Sequence, residues 1–327
     1  MMMGLFDLSV PQLYQYQGTI PRPDDFDAYW DRALAEMNAI DPQVTLTPAY
    51  QHPAFDCFGL HFTGTKGARI YAKWIVPKNI RQPVPAVLQF HGYTGDSGDW
   101  TGLMQIASAG FAVAALDVRG QGGKSHDAGG VIGNTLHGHI IRGLESKNPD
   151  DLLFRDIFLD TALLYRIVAG MDCVDAERIA LCGGSQGGGL SLACAALTDA
   201  KLVSICYPFL SDYQRVWNLD LAKDAYLELK EYFRHTDPTH RHEAETFTRL
   251  GYIDVQHLAP RIKGKLRMCT GLMDTICPPS SQFAVYNKVT AEKKVIFYPD
   301  FGHERIPSYM DDSVAWFVSS FFPETHD

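Results

Sequence analysis

The sequence predicts an α/β protein in which helices cover both faces of a mostly parallel, doubly wound sheet. Short apolar runs such as PAVLQFHG (85–92) and RIALCGG (178–184) show no alternation of polar and apolar residues. Strands of this kind are buried on both faces and are typical of parallel sheets. A helical stretch follows most of these runs, as the crossovers between parallel strands require. We therefore interpret residues 1–327 as a single domain.

Two elements precede the parallel part of the chain. Apolar residues recur at helical spacing within 24–40, so we expect an amphipathic helix that begins at Asp24. The β-rich runs 55–63 and 69–76 follow, and the short segment GTKGA between them indicates an antiparallel hairpin.

From residue 85 onwards, strands and helices alternate. The predicted strands are 85–92, 111–120, 178–184, 202–208, 265–274 and 293–303. The predicted helices are 100–110, 150–170, 186–198, about 279–290 and 308–322. Between about 211 and 258 the alternation stops, and the polar sequence indicates a helical insertion that is broken near Asp237.

Composition excludes several classes of function. The formal net charge is -9 and we find no long basic run, so nucleic acid and anionic membranes are poor partners. No apolar run reaches the roughly 18–20 residues of a membrane span, and the N-terminus does not resemble a signal peptide. The cysteines are odd in number, 7, and none forms a CxxC pair. We therefore expect reduced thiols and a cytoplasmic protein.

Two serines compete for the role of a nucleophile. Ser97 lies in GDSG, the tetrapeptide around the serine of trypsin-like proteases, but those proteases are all-β and place their His and Asp upstream. Here strands and helices alternate, and GDSG falls where a strand-to-helix loop is needed. We expect Ser97 to be a loop residue.

Ser185 lies in the sequence GGSQG, which fits the pattern G-x-S-x-G between a predicted strand and a predicted helix. In that context the serine occupies a sharp, strained turn that lifts its hydroxyl above the edge of the sheet. The same turn leaves the N–H of Gln186 free to bind an oxyanion. We therefore predict that Ser185 is the nucleophile.

The other catalytic residues should follow in the order acid, then histidine. Asp274 follows the strand that begins at Lys265, and His303 follows the last strand, so both are candidates. Asp300 is a competing carboxylate on the same loop as His303. The loop after 85–92 should supply a second oxyanion donor, for which we favour the N–H of Tyr93.

No metal or organic cofactor is expected. His137 and His139 have the spacing of one strand face and could imitate a pair of metal ligands. No acidic or cysteine third ligand stands near them in the sequence, so we do not expect a metal site.

Several motifs together resemble the acetyl xylan esterase / cephalosporin C deacetylase family, carbohydrate esterase family 7. They are RGQ (119–121), GGSQG (183–187), HE (303–304), HGYTGDSGDW, GLMDTICPPSSQF and the N-terminal segment around PRPDDFDAYW. The resemblance implies an α/β-hydrolase fold with Ser185, Asp274 and His303 as a catalytic triad. It further implies backbone N–H groups of Tyr93 and Gln186 as an oxyanion hole.

The resemblance also implies substrates and an assembly. The substrates would be acetyl esters of small xylo-oligosaccharides and cephalosporin C, and the protein would be an intracellular hexamer. We add Tyr207 and Trp100 as aromatic residues that could line the substrate site, and Arg119 and Gln121 as structural residues near it. Two alternatives stay open: a serine peptidase of the prolyl-oligopeptidase type, and a hydrolase-fold protein that binds without catalysis.

Overall fold

One sheet organises the molecule. The computed structural model describes residues 6–128 and 135–322, and within these residues nine strands form a single sheet. The strands are β1 (Thr45–Gln51), β2 (Phe55–Thr63), β3 (Arg69–Pro77), β4 (Val84–Phe90), β5 (Ala112–Asp117), β6 (Val174–Gly184), β7 (Leu202–Cys206), β8 (Lys265–Gly271) and β9 (Lys293–Tyr298).

The strand order is β1-β2-β3-β5-β4-β6-β7-β8-β9. The first three strands and the β3–β5 pair are antiparallel, while β5, β4, β6, β7, β8 and β9 run parallel to one another. This arrangement confirms the predicted α/β class, the mostly parallel sheet and the antiparallel hairpin at its start.

Eleven α-helices accompany the sheet in the described part of the chain. They are α1 (Val10–Leu13), α2 (Phe26–Asn38), α3 (Trp100–Ala107), α4 (Leu153–Ala169), α5 (Gln186–Leu197), α6 (Tyr213–Asn218), α7 (Leu227–Thr236), α8 (Glu243–Leu250), α9 (Val255–Leu258), α10 (Pro279–Lys288) and α11 (Tyr309–Phe321). None of the described helices combines the length and the apolar character that crossing a membrane requires.

Two hydrophobic clusters explain why the central strands lack alternation. In β4, Leu88 belongs to the cluster beneath α4 and α5, whereas its neighbour Val87 belongs to the cluster beneath α3 and α11. Both residues have no exposed surface. Because each face of the sheet is covered, successive side chains in a strand must all be apolar.

The edge strand β1 was absent from the sequence-based prediction. All seven of its residues are exposed, and Pro48 lies in its interior. An exposed edge strand has no buried face to impose an apolar pattern, and an edge is where a sheet tolerates proline. The missing pattern explains why this strand could not be predicted.

The segment between β7 and β8 contains α6 to α9, in the region predicted to be a helical insertion. The predicted break falls between α7 and α8, where the Asp237 carboxylate accepts the N–H groups of Arg241 and His242. Phe233 and Phe247 of this insertion share one hydrophobic cluster with Phe158 of α4. The insertion therefore packs into the same hydrophobic cluster as the helices that cover the sheet.

The topology gathers several loops at one edge of the sheet. Strands β4 and β6 are neighbours, and so are β8 and β9, and all four run in the same direction. Ligands of open α/β sheets bind outside the carboxyl ends of the strands. The loops that follow these four strands contain Tyr93, Ser185, Asp274 and His303, and so the fold collects the predicted site residues at this edge.

Candidate active site

The backbone at Ser185 is strained. Ser185 links β6 directly to α5 with φ 56° and ψ -123°, a backbone conformation that residues other than glycine rarely adopt. Neighbouring chain segments hold it there. The Ser185 N–H donates to the carbonyl of Cys206 at 3.0 Å, and the Ser185 carbonyl accepts the N–H of Phe209 at 3.0 Å.

Close backbone contacts make glycine necessary on both sides of this serine. A Cβ on Gly183 would lie 2.5 Å from the carbonyl carbon of Gly187, and a Cβ on Gly187 would lie 2.0 Å from the carbonyl oxygen of Phe90. Either contact is far inside van der Waals distance. Because these residues are glycines, the start of α5 can pack closely on the ends of β4 and β6, with Ser185 in the turn between β6 and α5.

Ser185, His303 and Asp274 form one chain of hydrogen bonds. The distance from Ser185 Oγ to His303 Nε2 is 3.0 Å, and the distance from His303 Nδ1 to Asp274 Oδ2 is 2.8 Å. Since a carboxylate only accepts, Nδ1 carries the proton and Nε2 is free to accept from the serine hydroxyl. This is the arrangement in which an imidazole can remove a proton from serine.

Asp274 is held rigidly in place. It is completely buried, and its other oxygen, Oδ1, accepts the N–H groups of Ile276 at 2.9 Å and Cys277 at 2.8 Å. The competing candidate Asp300 is exposed. His303 Nδ1 thus pairs with Asp274, while the Tyr207 ring packs on the imidazole with ring centroids 4.5 Å apart.

The backbone N–H groups of Tyr93 and Gln186, the two candidate oxyanion donors, have no acceptor among the described residues. Gln186 is the first residue of α5, so its N–H lies at the positive end of the helix. Tyr93 is in the loop after β4. Free N–H groups of this kind are the donors from which an oxyanion hole is built.

Tyr93 also contacts the insertion through a carboxylate that the sequence analysis missed. The Tyr93 hydroxyl donates to Glu228 in α7, and the same carboxylate accepts the N–H groups of Gly138 at 2.8 Å and Ile140 at 2.9 Å. Burial raises the pKa of Glu228 above its usual range, against the lowering effect of these hydrogen bonds. No local motif marks this residue, because its partners are distant in sequence.

Arg119 is buried beneath the loops and forms a bidentate ion pair. Its Nε donates to Asp160 Oδ2 at 2.6 Å and its Nη2 donates to Asp160 Oδ1 at 2.7 Å, with a further bond to Thr65. The side chain of Arg119 is inaccessible to solvent. The contacts agree with the structural role predicted for Arg119, since they tie the loop after β5 to α4.

Ser97 in the loop that contains GDSG and Trp100 at the start of α3 have described contacts that do not involve the triad. The Ser97 N–H donates to Asp117 Oδ1 at 2.7 Å, which anchors the loop to the end of β5. Trp100 stacks on Tyr50 with ring centroids 6.2 Å apart, and Lys73 lies over its ring. The structure does not bring Trp100 to the triad, because α3 carries it to the hydrophobic cluster beneath α11.

Both ring nitrogens of His139 take part in hydrogen bonds. Nδ1 lies 3.2 Å from Gln121 Nε2, and Nε2 lies 2.9 Å from Thr135 Oγ1.

Among the described residues, potential metal-binding atoms come together only at Asp274, Cys277 and His303. Burial raises the pKa of the Cys277 thiol well above its usual range, which makes it a poor metal ligand.

Comparison with known proteins places this geometry in a family. The family model for acetyl xylan esterase matches residues 3–321 of the chain. The chain belongs to the acetyl xylan esterase family. This result confirms the resemblance seen in the sequence motifs.

This chain is similar in sequence and structure, over most of its length, to two solved acetyl xylan esterases. Acetyl xylan esterase 1 from Thermoanaerobacterium sp. JW/SL YS485 is 53% identical with a TM-score of 0.92, covering 96% of this chain and 99% of that one. The acetyl xylan esterase from Paenibacillus sp. R4 is 35% identical with a TM-score of 0.88, covering 96% and 100%.

A curated relative is more distant. The acetyl esterase Axe7A of Xylanibacter ruminicola is 25% identical over 293 residues, which are 85% of this chain. The chain spans only 62% of the length of that relative.

Substitution of the two serines should separate a nucleophile from a loop residue. We expect Ser185→Ala to lower kcat for 4-nitrophenyl acetate by about 10⁴-fold or more, since the attacking hydroxyl is lost. Ser97→Ala should keep most of the activity, because its bond to Asp117 uses a backbone N–H that alanine retains. Circular dichroism checks that both variants are folded, and similar losses from both would contradict the assignment.

Substitution of the two carboxylates should identify the acid. In Asp274→Asn the side-chain amide would face His303 Nδ1 and favour the wrong imidazole tautomer, so kcat should fall by about 10³–10⁴-fold. Asp300→Asn is the matched control and should change kcat little, because Asp300 is exposed. A larger effect at Asp300 than at Asp274 would mean that the acid is assigned wrongly.

Proposed function

We propose that this protein is a serine esterase that removes acetyl groups from small acetylated carbohydrates, in particular xylo-oligosaccharides. The observation that carries the proposal is the continuous Ser185–His303–Asp274 hydrogen-bond chain, with distances of 3.0 Å and 2.8 Å. The family and its solved members, named as acetyl xylan esterases, support the acyl group and the class of substrate. Cephalosporin C is the second substrate in this proposal.

In the first half of the reaction, His303 Nε2 takes the proton of the Ser185 hydroxyl as its oxygen attacks the acetyl carbonyl carbon. The negative charge that develops on the carbonyl oxygen is stabilised by the N–H groups of Tyr93 and Gln186. His303 then gives its proton to the sugar oxygen, the C–O bond breaks, and the sugar leaves with a free hydroxyl. The acetyl group stays as an ester on Ser185.

In the second half, His303 removes a proton from a water molecule that attacks the acetyl-enzyme. The tetrahedral intermediate uses the same two N–H groups and collapses to acetate, while the proton returns from His303 to Ser185 Oγ. In both halves the buried Asp274 carboxylate stabilises the imidazolium and keeps its ring oriented.

The two alternatives differ from this proposal in their chemistry. A binding protein without catalysis has no need for three connected catalytic side chains, and here all three are connected. A serine peptidase would use the same triad on an amide. Peptide 4-nitroanilides beside 4-nitrophenyl acetate therefore decide between an esterase and a peptidase.

The contacts of Tyr207 support a small acyl pocket. Its ring packs on His303, and a Cβ on Gly184 would lie 3.3 Å from the Tyr207 ring, so this ring also lies against the end of β6, next to Ser185. The backbone of Tyr207 is fixed as well, because its N–H donates to the Cys269 carbonyl at 2.9 Å. A ring held on two sides leaves little space for a longer acyl chain to displace it.

Ester hydrolysis should therefore fall as the acyl chain grows. We expect kcat/KM to decrease from acetyl to butyryl to octanoyl 4-nitrophenyl esters, since displacing a packed ring costs about 1–3 kcal/mol, or roughly 5- to 150-fold. Initial rates with the three esters, beside acetylated xylo-oligosaccharide and cephalosporin C, provide the measurement. Equal or higher kcat/KM for the octanoyl ester would indicate a lipase-like pocket.

The proposal also includes an assembly and a location. The assembly is a hexamer whose active sites face an inner cavity, and the location is intracellular. Both rest on the family resemblance. The apolar chain ends give only limited support, because they already pack on the protein itself. Tyr14 lies against Phe283 with ring centroids 5.2 Å apart, and Phe322 lies against Phe111 at 5.4 Å. The free state of all 7 cysteines agrees with a reducing compartment.

If a closed hexamer restricts access to the sites, small substrates should react faster than polymers. We expect light scattering at micromolar concentration to give about six times the 36.4 kDa chain mass. Per acetyl group, acetylated xylo-oligosaccharides should be hydrolysed much faster than polymeric acetylxylan. A monomeric mass together with equal rates on both substrates would argue against the assembly.

A further inference from the structure

Two buried glutamines near the oxyanion donors form a reciprocal amide pair. Gln121 Nε2 donates to Gln186 Oε1 at 2.7 Å, and Gln186 Nε2 donates to Gln121 Oε1 at 2.9 Å. Neither residue has any exposed surface. Gln121 comes from the loop after β5, so a side chain from a third loop reaches the residue that carries one of the two oxyanion N–H groups.

Gln121 also contacts the loop that carries the other donor. Its Oε1 accepts the N–H of Thr94, the residue after Tyr93, at 3.0 Å. The remaining hydrogen of Gln121 Nε2 faces His139 Nδ1 at 3.2 Å. Burial lowers the pKa of His139 to about 4, so at neutral pH this nitrogen can accept a hydrogen bond. These partners fix the orientation of the Gln121 amide.

The peptide group on the other side of Tyr93 is held by His91. The His91 Nδ1–H donates to the carbonyl of Gly92 at 2.7 Å, and His91 Nε2 accepts the N–H of Val118 at 3.0 Å. The Gly92 carbonyl and the Tyr93 N–H belong to the same planar peptide group. With Gln121 on the following peptide, the direction of the Tyr93 N–H is fixed from both sides.

We propose that Gln121 is a positioning residue that sets the separation and direction of the two oxyanion donors. It binds the side chain of Gln186 and the backbone next to Tyr93 with the same amide oxygen, and therefore connects the two halves of the oxyanion hole. This inference rests on the proposed function, because it concerns the same acetyl-transfer step. Gln121 itself does not touch the reacting atoms.

The geometry determines which kinetic constant should change. Oxyanion donors act on the charge that develops in the transition state, and loss of one donor costs about 10²–10³-fold in kcat. A displaced donor retains part of its effect. Loss of the Gln121 amide should therefore lower kcat by about 10- to 100-fold, while KM changes less than about threefold.

The test compares Gln121→Met with Gln256→Met, and the wild-type protein is measured beside them. Methionine is close in size to glutamine but has no amide, so each variant removes the same kind of buried group. Gln256 in α9 is also completely buried, and its side-chain oxygen accepts a hydrogen bond from Lys288, which is not part of the site. Both variants should lose thermal stability, but only Gln121→Met should lose kcat per active site, counted by complete reaction with a fluorophosphonate.

The Ki of methylboronic acid is a second measurement, and it would not change if Gln121 only stabilised the fold. Methylboronic acid forms a tetrahedral anionic adduct with a catalytic serine, and so its Ki reports on the oxyanion hole. In Gln121→Met the Ki should rise by about the same factor as kcat/KM for 4-nitrophenyl acetate falls, as expected for a transition-state analogue. Wild-type kcat and Ki in Gln121→Met, or equal kinetic losses in both variants, would overturn the proposal.

A second variant keeps the test decisive if Gln121→Met does not fold. Gln186→Met removes the same amide pair from the other side and retains the backbone N–H of residue 186. Its kcat should fall by about tenfold with a matching rise in Ki, and wild-type values would overturn the proposal. Failure of the proposed function would look different, since the wild-type protein itself would then show no turnover of acetyl esters that depends on Ser185.

Discussion

The strained backbone of Ser185 is the constraint on which the site depends. A positive φ at a serine costs free energy, of the order of 1–3 kcal/mol, and persists only where surrounding contacts determine it. Here the end of β7 and the segment after it hold Ser185 by its N–H and its carbonyl. The packing of Gly187 against β4 fixes the start of α5. The position of Ser185 is thus fixed jointly by the sheet and by α5.

Other parts of the site are fixed by side chains that cross between loops. Asp274 is oriented by backbone N–H groups of its own loop, whereas Tyr93 is oriented by Glu228 from the insertion and by its contacts with neighbouring loops. The Asp274 and Glu228 carboxylates are buried and hydrogen-bonded, so they can hold geometry in a way that apolar packing alone cannot. The sheet determines where the site residues lie, and the buried polar contacts determine how their side chains and N–H groups are oriented.

The features that could be predicted from the sequence are those with a local pattern. The parallel strands were recognisable because both their faces are buried, and Ser185 was recognisable because glycines flank it between a strand and a helix. The chain order then indicated Asp274 and His303. Strand β1 could not be predicted, because an exposed edge leaves no apolar pattern.

Contacts between distant residues were equally hidden. Glu228 lies 135 positions from Tyr93 in the chain, and Gln121 lies 65 positions from Gln186. Nothing in the residues around either partner encodes such a pairing. Trp100 shows a further limit of the sequence: it was grouped with other aromatic residues as a candidate for the substrate site, and in the structure it packs against the hydrophobic cluster beneath α3 and α11.

The Glu228 carboxylate has a consequence for how this fold can diversify. One side chain of the insertion accepts hydrogen bonds from the loop at Tyr93 and from the loop at Gly138 and Ile140. An insertion exchanged for one from another hydrolase would leave the three donors in these two loops without their acceptor. The insertion is therefore not an interchangeable module for altering substrate range, and a graft would have to bring its own acidic residue to this point.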